Sequence, residues 1–440
     1  MIVAGIPMYP QISQVDSDHP LPKSTDVVII GGGIVGVCTA YFLAERGVSV
    51  VLVEKSGIAH EQSSRNWGWV RTMGRDIAEI PLAIASLKLW DSWPMRLRHD
   101  TGFTRAGILY ACESEQEIRD KESWLAQAKP MGVEAQWLDA AQIAARLGTK
   151  SPLSWKGALY TATDGRAEPD IATAAIAEGA RALGARLFTR CAARGLETEA
   201  GQVSSVVTEL GEIKCKTVVL AAGAWSSLFC RNLGIRLPQL KVLGSVMRTG
   251  PIAGGPDCAV ATEKMAFRKR ADGGYTVAMR NTNIASLVPD SFRYFPDFLP
   301  MVKAHHQEYR LRVTGQTWQE INTPGRWRND QPTPFETQRL YDPKPVDAFL
   351  DQALKMIVEQ FPVFAGAKIE QRWAGLIDVT PDIVPVINEV ASLPGFYLAT
   401  GFSGHGFGIG PGAGHLMADL ITGDQPLVSP TPFRFSRFAR

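Results

Sequence analysis

Three glycines, Gly31, Gly33 and Gly36, stand between an apolar run, TDVVII, and a helix-forming stretch, VCTAYFLAERG. In that place the G-x-G-x-x-G spacing suits a bound pyrophosphate. The first glycine permits a tight turn, the second lets the backbone approach the phosphates, and the third lets helix pack on strand. Ile34 and Val35 open the helix, whose positive end faces the anion. Glu54 closes the next apolar run 18 residues after Gly36, followed by Lys55. A carboxylate there accepts hydrogen bonds from a ribose diol. The glycines alone would be weak evidence; with Glu54 they predict a dinucleotide site.

Later segments favour FAD over a nicotinamide cofactor. Ser63, Ser64, Arg65 and Asn66 follow the second strand with hydroxyls and amides suited to a phosphate. The run VVLAAGAWS places Ala222, Gly223 and Trp225 at a strand end small enough for an extended cofactor to pass. Gly404, His405, Gly406, Phe407 and Gly408 lead into a helix, predicted from Pro411, whose dipole can stabilise negative charge on the pyrimidine edge of a flavin. An NAD(P)-dependent dehydrogenase is the less favoured reading.

These residues need a β-α-β unit to hold them, and the sequence supplies one: a strand from Thr25, a helix closing at Gly47 and a strand over 48–55. A second α/β signal covers 170–225, and a third couples GFYLATG to a terminal helix. Between them lie mixed segments rich in Pro, Trp and Arg, with one amphipathic helix in PVDAFLDQALKMIVEQFP. Residues 284–302 are apolar and aromatic without a helical stripe, and read as a lid, a subunit contact, a membrane-leaning patch or buried structure.

The fold class expected is α/β plus α+β: a Rossmann-type FAD-binding domain and a discontinuous substrate domain built on a mostly antiparallel sheet. An extended lead-in covers 1–24. The FAD-binding domain takes 25–95, 151–240 and 372–440, and the substrate domain 96–150 and 241–371.

With 440 residues, 46 Lys plus Arg and 44 Asp plus Glu, the net charge is only +2, which disfavours a nucleic-acid partner. Six scattered cysteines form no C-x-x-C pair, so neither a metal site nor a disulfide framework is expected. The first basic residue is Lys23, unlike a secretory signal. The uncharged run 27–44 is broken by glycines and reads as strand, turn and helix rather than as a membrane span. A cytoplasmic protein is expected. Peripheral contact with the inner face of a membrane and a homo-oligomer remain open.

Taken in order, VVIIGGGIVG, SSRNWGWVR, DGRAEPD, VVLAAGAWS, RWAGLIDVTPD, GFSGHGFGIGPGAGHLMADLITG and the closing FRFSRF resemble the FAD-dependent D-amino acid oxidase family in the wide sense. That group includes glycine oxidase, sarcosine oxidase and D-amino acid dehydrogenase. The resemblance implies oxidation of the C–N bond of an amine or amino acid by hydride transfer to flavin N5, giving an imine that water hydrolyses. Flavin N5 then carries the chemistry, so no catalytic side chain is assigned. Oxygen or a quinone or other electron carrier is the implied acceptor. With no Cys after Cys258, noncovalent FAD is expected, although His60 lies close to the cofactor segment in sequence.

The substrate side departs from the family pattern. Glycine and D-amino acid oxidases place a carboxylate-binding Arg where this chain has Ile377, in Trp373-Ala374-Gly375-Leu376-Ile377. Sarcosine oxidases use an Arg after the Ser-rich segment, matched by Arg71, and a Lys that is replaced here by Gly408. Two readings stay open: Arg71, aided by Arg280, holds an anionic group, or the substrate is an amine without α-carboxylate packed on Ile377. Trp67 and Trp69 offer aromatic faces to a cationic amine, with core packing as the plainer role. His405 is a candidate substrate contact or flavin support, and His305-His306 read as solvated. A flavoprotein subunit of a hetero-oligomeric dehydrogenase is the alternative of another class.

Overall fold

The computed structural model describes residues 9–148, 154–305 and 309–438. Its cofactor half is built on a six-stranded sheet in the order Val386–Glu389, Phe396–Thr400, Thr217–Leu220, Val27–Ile30, Val50–Val53 and Arg186–Phe188. Neighbours run parallel except for the hairpin joining the first two. The inner strands are Val/Ile/Leu runs buried throughout, as expected when helices cover both faces. The second strand, expected over 48–55, is confined to Val50–Val53.

Behind this sheet the helix Ile34–Glu45 is buried from Ile34 to Ala44, wedged between the helices Pro169–Ala182 and Gly406–Thr422. The last of these begins earlier than its sequence suggested. Glycines lower helix propensity, yet here they are what lets neighbours touch. A Cβ on Gly414 would sit 2.5 Å from the Cβ of Cys38, and one on Gly408 would sit 2.9 Å from the Trp69 carbonyl oxygen. The turn from Gly401 to His405 therefore passes into helix at Gly406, with Pro411 inside it.

The second sheet has ten strands, mostly antiparallel, organised around the long pair Leu240–Thr249 and Ile369–Val379. The helix Asp347–Gln360 lays Leu350, Ala353 and Ile357 against Phe267, Tyr275 and Val277, as its apolar stripe predicts. Two strands lie in this sheet although their residues fall in ranges expected for the cofactor domain. Gly157–Thr161 pairs with Ile108–Cys112, and Ile369–Val379 continues past residue 372. Both are bound by ladder hydrogen bonds that a motif reading does not register. The expected boundary at 150/151 lies outside the described residues.

Residues 284–302 correct the sequence reading: they hold a strand end, Asn283–Ser286, and two helices, Pro289–Arg293 and Phe295–His305. Pro289 and Pro300 interrupt the periodicity that would have announced them. Tyr294 and Phe298 are buried, whereas Phe292 is 74% and Phe295 54% exposed. His306 lies outside the described residues. Among those residues no helix is long and apolar enough to cross a membrane.

Candidate functional site

A cleft of about 390 Å³ runs from the mouth of the parallel sheet to the face of the large one. At the sheet end, Gly31 adopts φ +116°, and a Cβ there would meet the Ala221 carbonyl oxygen at 2.4 Å. A Cβ at Gly33 would lie 3.2 Å from Ser63 Oγ, which accepts the Ile34 N–H at 2.9 Å. Gly33, Ile34 and Val35 thus present a helix N-terminus to the cleft. The Glu54 carboxylate accepts the amides of Gly32 and Ser56, both at 2.8 Å. Burial raises its pKa against those bonds. Lys55 donates to the carbonyls of Gln338 and Arg339 and lies 3.4 Å above the Trp225 ring, itself stacked on Tyr341. Burial lowers the Lys55 pKa to about 8.

This donor set fits FAD: a glycine cradle with no room for side chains, a helix start for the pyrophosphate and a strand-end carboxylate for the ribose. Ala222, Gly223 and Trp225 border the same space, as do Gly404, His405, Gly406, Phe407 and Gly408.

Of the expected cofactor contacts, Gly36 and Ser64 are absent from the cleft lining, while Arg65 and Asn66 border it with their side chains engaged elsewhere. Gly36 lies behind the cleft, where a Cβ would meet the Gly31 carbonyl oxygen at 2.0 Å; its task is packing. Ser64 is buried in a short helix, its hydroxyl on the Glu61 carbonyl. Arg65 borders the cleft but spends its guanidinium on Asp342, the Ala374 carbonyl and the His60 carbonyl. Asn66 folds back on the carbonyls of Gln62 and Ser63. His60 is absent from the cleft lining and bonds Ser56. The six cysteines are buried elsewhere.

At the other end the structure gathers residues from separate elements. The strand Trp69–Val70 pairs with Gly165–Arg166, so the DGRAEPD segment positions the turn that carries Arg71. Asp164 accepts the Thr72 amide and hydroxyl and the Met73 amide, fixing that turn. Trp67 and Trp69 meet edge to face at 5.6 Å, and Trp69 packs towards Tyr110. Both line the cleft while serving as core packing. The guanidiniums of Arg71 and Arg280 lie 5.8 and 5.1 Å from the Tyr110 ring centre. Each donates to one backbone carbonyl, Met73 for Arg71 and Thr262 for Arg280. Ile377 stands across from Gly404 and Gly244 as an apolar wall.

His405 Nδ1 lies 3.0 Å from Glu79 Oε2. Burial, with Arg75 nearby, lowers its pKa to about 4, so the ring is neutral at pH 7. Its Nδ1–H then donates to Glu79, leaving Nε2 as an acceptor. The sequence reading missed Arg75, Glu79 and Tyr110. They come from a turn, a short 3-10 helix and a distant strand, and no motif joins them.

Residues 26–420 match the family model described as FAD dependent oxidoreductase. Sarcosine oxidase subunit beta from an Arthrobacter species is 26% identical over 96% of this chain and 93% of its own length. Glycine oxidase from Pseudomonas putida is 25% identical over 93% of this chain and 98% of its own. The structure of L-amino acid deaminase from Proteus myxofaciens, solved in complex with anthranilate, superposes with a TM-score of 0.94. It is 33% identical and covers 99% of this chain and 98% of that one.

Proposed function

This chain belongs to the FAD-dependent oxidoreductase family, and from that premise we propose that it oxidises the C–N bond of an amino acid. The product is an imine that water hydrolyses to a 2-oxo acid and ammonia or a smaller amine. FAD, which Gly31, Gly33, Ile34 and Glu54 would hold, would supply the acceptor for the hydride of the carbon bearing nitrogen. The observation that carries the reading is the pair of guanidiniums, Arg71 and Arg280, lining one cleft with no carboxylate in ion-pair contact among the described residues. A planar fork of that kind receives a carboxylate with two parallel hydrogen bonds.

In this reading Arg71 orients the α-carboxylate. His405, neutral and tied to Glu79, offers Nε2 as a hydrogen-bond acceptor to the N–H of an amine that binds in its uncharged, oxidisable form. Ile377 and Trp67 cover the reacting carbon and exclude water. FAD is held without a covalent bond, in keeping with the positions of His60 and the cysteines. The apolar Ile377 also supports a second reading, an amine without an α-carboxylate. Incubation with a panel of amino acids and an artificial electron acceptor, followed by detection of 2-oxo acids, tests the first. Product that appears only from simple amines contradicts it.

We further propose that electrons leave to an acceptor at a membrane surface. Phe292, Phe295, Leu311, Val313, Trp318 and Ile321 are each more than half exposed between residues 292 and 321, among Lys303, Arg310 and Arg312, with Arg293 paired to Asp290. Apolar anchors among basic residues suit anionic lipid. Co-sedimentation with vesicles containing anionic lipid is expected, and its loss in F292S/W318S; equal recovery of both proteins in the supernatant contradicts it. The Arthrobacter relative is a subunit beta, and by that likeness this chain is proposed to work within a hetero-oligomeric assembly.

A further inference from the structure

Charge around Tyr110 is unevenly paired. Lys121 lies 5.8 Å from the ring and is answered by Glu263 at 3.1 Å, whose carboxylate also accepts the Asn281 amide. Glu79 bonds His405 through one oxygen and Asp164 holds the Thr72–Met73 turn, and both carboxylates face Arg71 and Arg75 beyond ion-pair distance. Three guanidiniums remain on the cleft wall, those of Arg71, Arg75 and Arg280. None has a carboxylate within ion-pair distance among the described residues. Arg75 is 3% exposed, borders the cleft, and its Nη1 is buried without a hydrogen-bond partner.

These cations form two groups on different elements. Arg71 and Arg75 share one turn, with Arg75 Nε 3.4 Å from the Arg71 carbonyl oxygen. Arg280 follows the strand Tyr275–Met279 of the large sheet and is anchored through Nη1 to Thr262. The Tyr110 ring has both Arg71 and Arg280 within 6 Å of its centre, each pinned by its own carbonyl bond. One carboxylate satisfies one fork. The second fork, with Asn281, Thr282 and Asn283 beside it on the wall, then faces only Glu263 among the described residues, whose carboxylate is already bonded to Lys121 and Asn281.

We propose that the substrate is an amino acid bearing a second anionic group, a carboxylate or an acid of similar geometry. Arg71, with Arg75 behind it, holds the α-carboxylate, and Arg280 receives the second anion. This rests on the amino-acid reading above and narrows it to dianionic amino acids. Arg280 is then the residue that sets specificity, because a neutral side chain leaves its free donors unpaired in a partly desolvated cleft.

The test compares glutamate with glutamine and aspartate with asparagine, in both stereochemical series, as reductants of the enzyme-bound flavin under anaerobic conditions. The acid of the accepted pair is expected to have a KM lower by about 10-fold or more than its amide. R280Q should bring the acid-to-amide ratio of kcat/KM close to one, and R280K should restore part of it. R71Q should lower kcat/KM for both members of the pair. A readout independent of turnover is the flavin's visible band: glutarate should perturb it at concentrations about 10-fold lower than butyrate. Equal behaviour of acid and amide, or of glutarate and butyrate, overturns the second-anion site while leaving amino-acid oxidation standing. Reduction by amines alone overturns both.

Discussion

Glu54 offers both carboxylate oxygens to backbone amides, at Gly32 and Ser56, in the turn that must also receive a ribose. Its replacement by Ala removes those two acceptors and the contact to the diol together. E54A is expected to weaken FAD retention by roughly 1–3 kcal/mol, read as loss of yellow colour on gel filtration; retention equal to wild type contradicts the assignment. His405 gives a pH signature. Its folded pKa lies at about 4, below the unfolded value of 6.5. The unfolded chain therefore binds the proton first as pH falls. Stability present above pH 6.5 is lost through that window, up to roughly 3 kcal/mol. Thermal melts from pH 7 to 4 should fall more steeply for wild type than for H405Q, and parallel curves contradict the account. At this scale the sequence was informative where a residue sits inside a motif, as Glu54, Arg71 and His405 do. It was silent on Arg75, Glu79 and Tyr110, whose roles depend on packing between segments far apart in the chain.

The helix Ile34–Glu45 works because it lies close to its strand, and Gly36 sets that distance. G36A places a Cβ about 2.0 Å from the Gly31 carbonyl oxygen, a backbone atom that cannot swing aside. The helix must shift away from the turn, so a lower melting temperature and a reduced FAD content are expected. A variant that melts and binds as wild type would show that the helix start tolerates movement. The β-α-β unit was readable because its strands are short apolar runs and its turn is glycine-rich. The Gly401–Gly408 stretch was half readable. Its glycines suggested a loop, yet from Gly406 they make helix, since each meets a neighbouring backbone or side chain that a Cβ would strike. Residues 284–302 hid two helices because prolines break the stripe and only Tyr294 and Phe298 among the rings there turn fully inward.

The two sheets are held together by buried charge as well as by apolar contact. Glu168, in the segment that leads into the helix Pro169–Ala182, receives both Nη atoms of Arg268 from the large sheet, at 2.7 and 2.9 Å. Both side chains are almost fully buried. R268A leaves that carboxylate with only Arg166 and the Ala271 amide, at a cost of up to about 3 kcal/mol. The expected result is a large fall in melting temperature that E168Q/R268M partly restores; a melt unchanged in R268A contradicts the role. The general architecture was legible from ordered motifs. The crossing of Gly157–Thr161 and Ile369–Val379 into the large sheet was not, since strand partners are chosen by topology.

The central claim is that the cleft recognises a carboxylate beside the oxidised C–N bond. It is tested most directly by mixing the FAD-loaded protein, without oxygen, with amino acids and with the amines left when each is decarboxylated. Bleaching of the visible flavin band by one or more amino acids, absent with the matching amine and slowed strongly in R71A at low substrate, is the predicted result. Bleaching by the amines, unaffected by R71A, would contradict it and assign the cleft to an amine packed on Ile377.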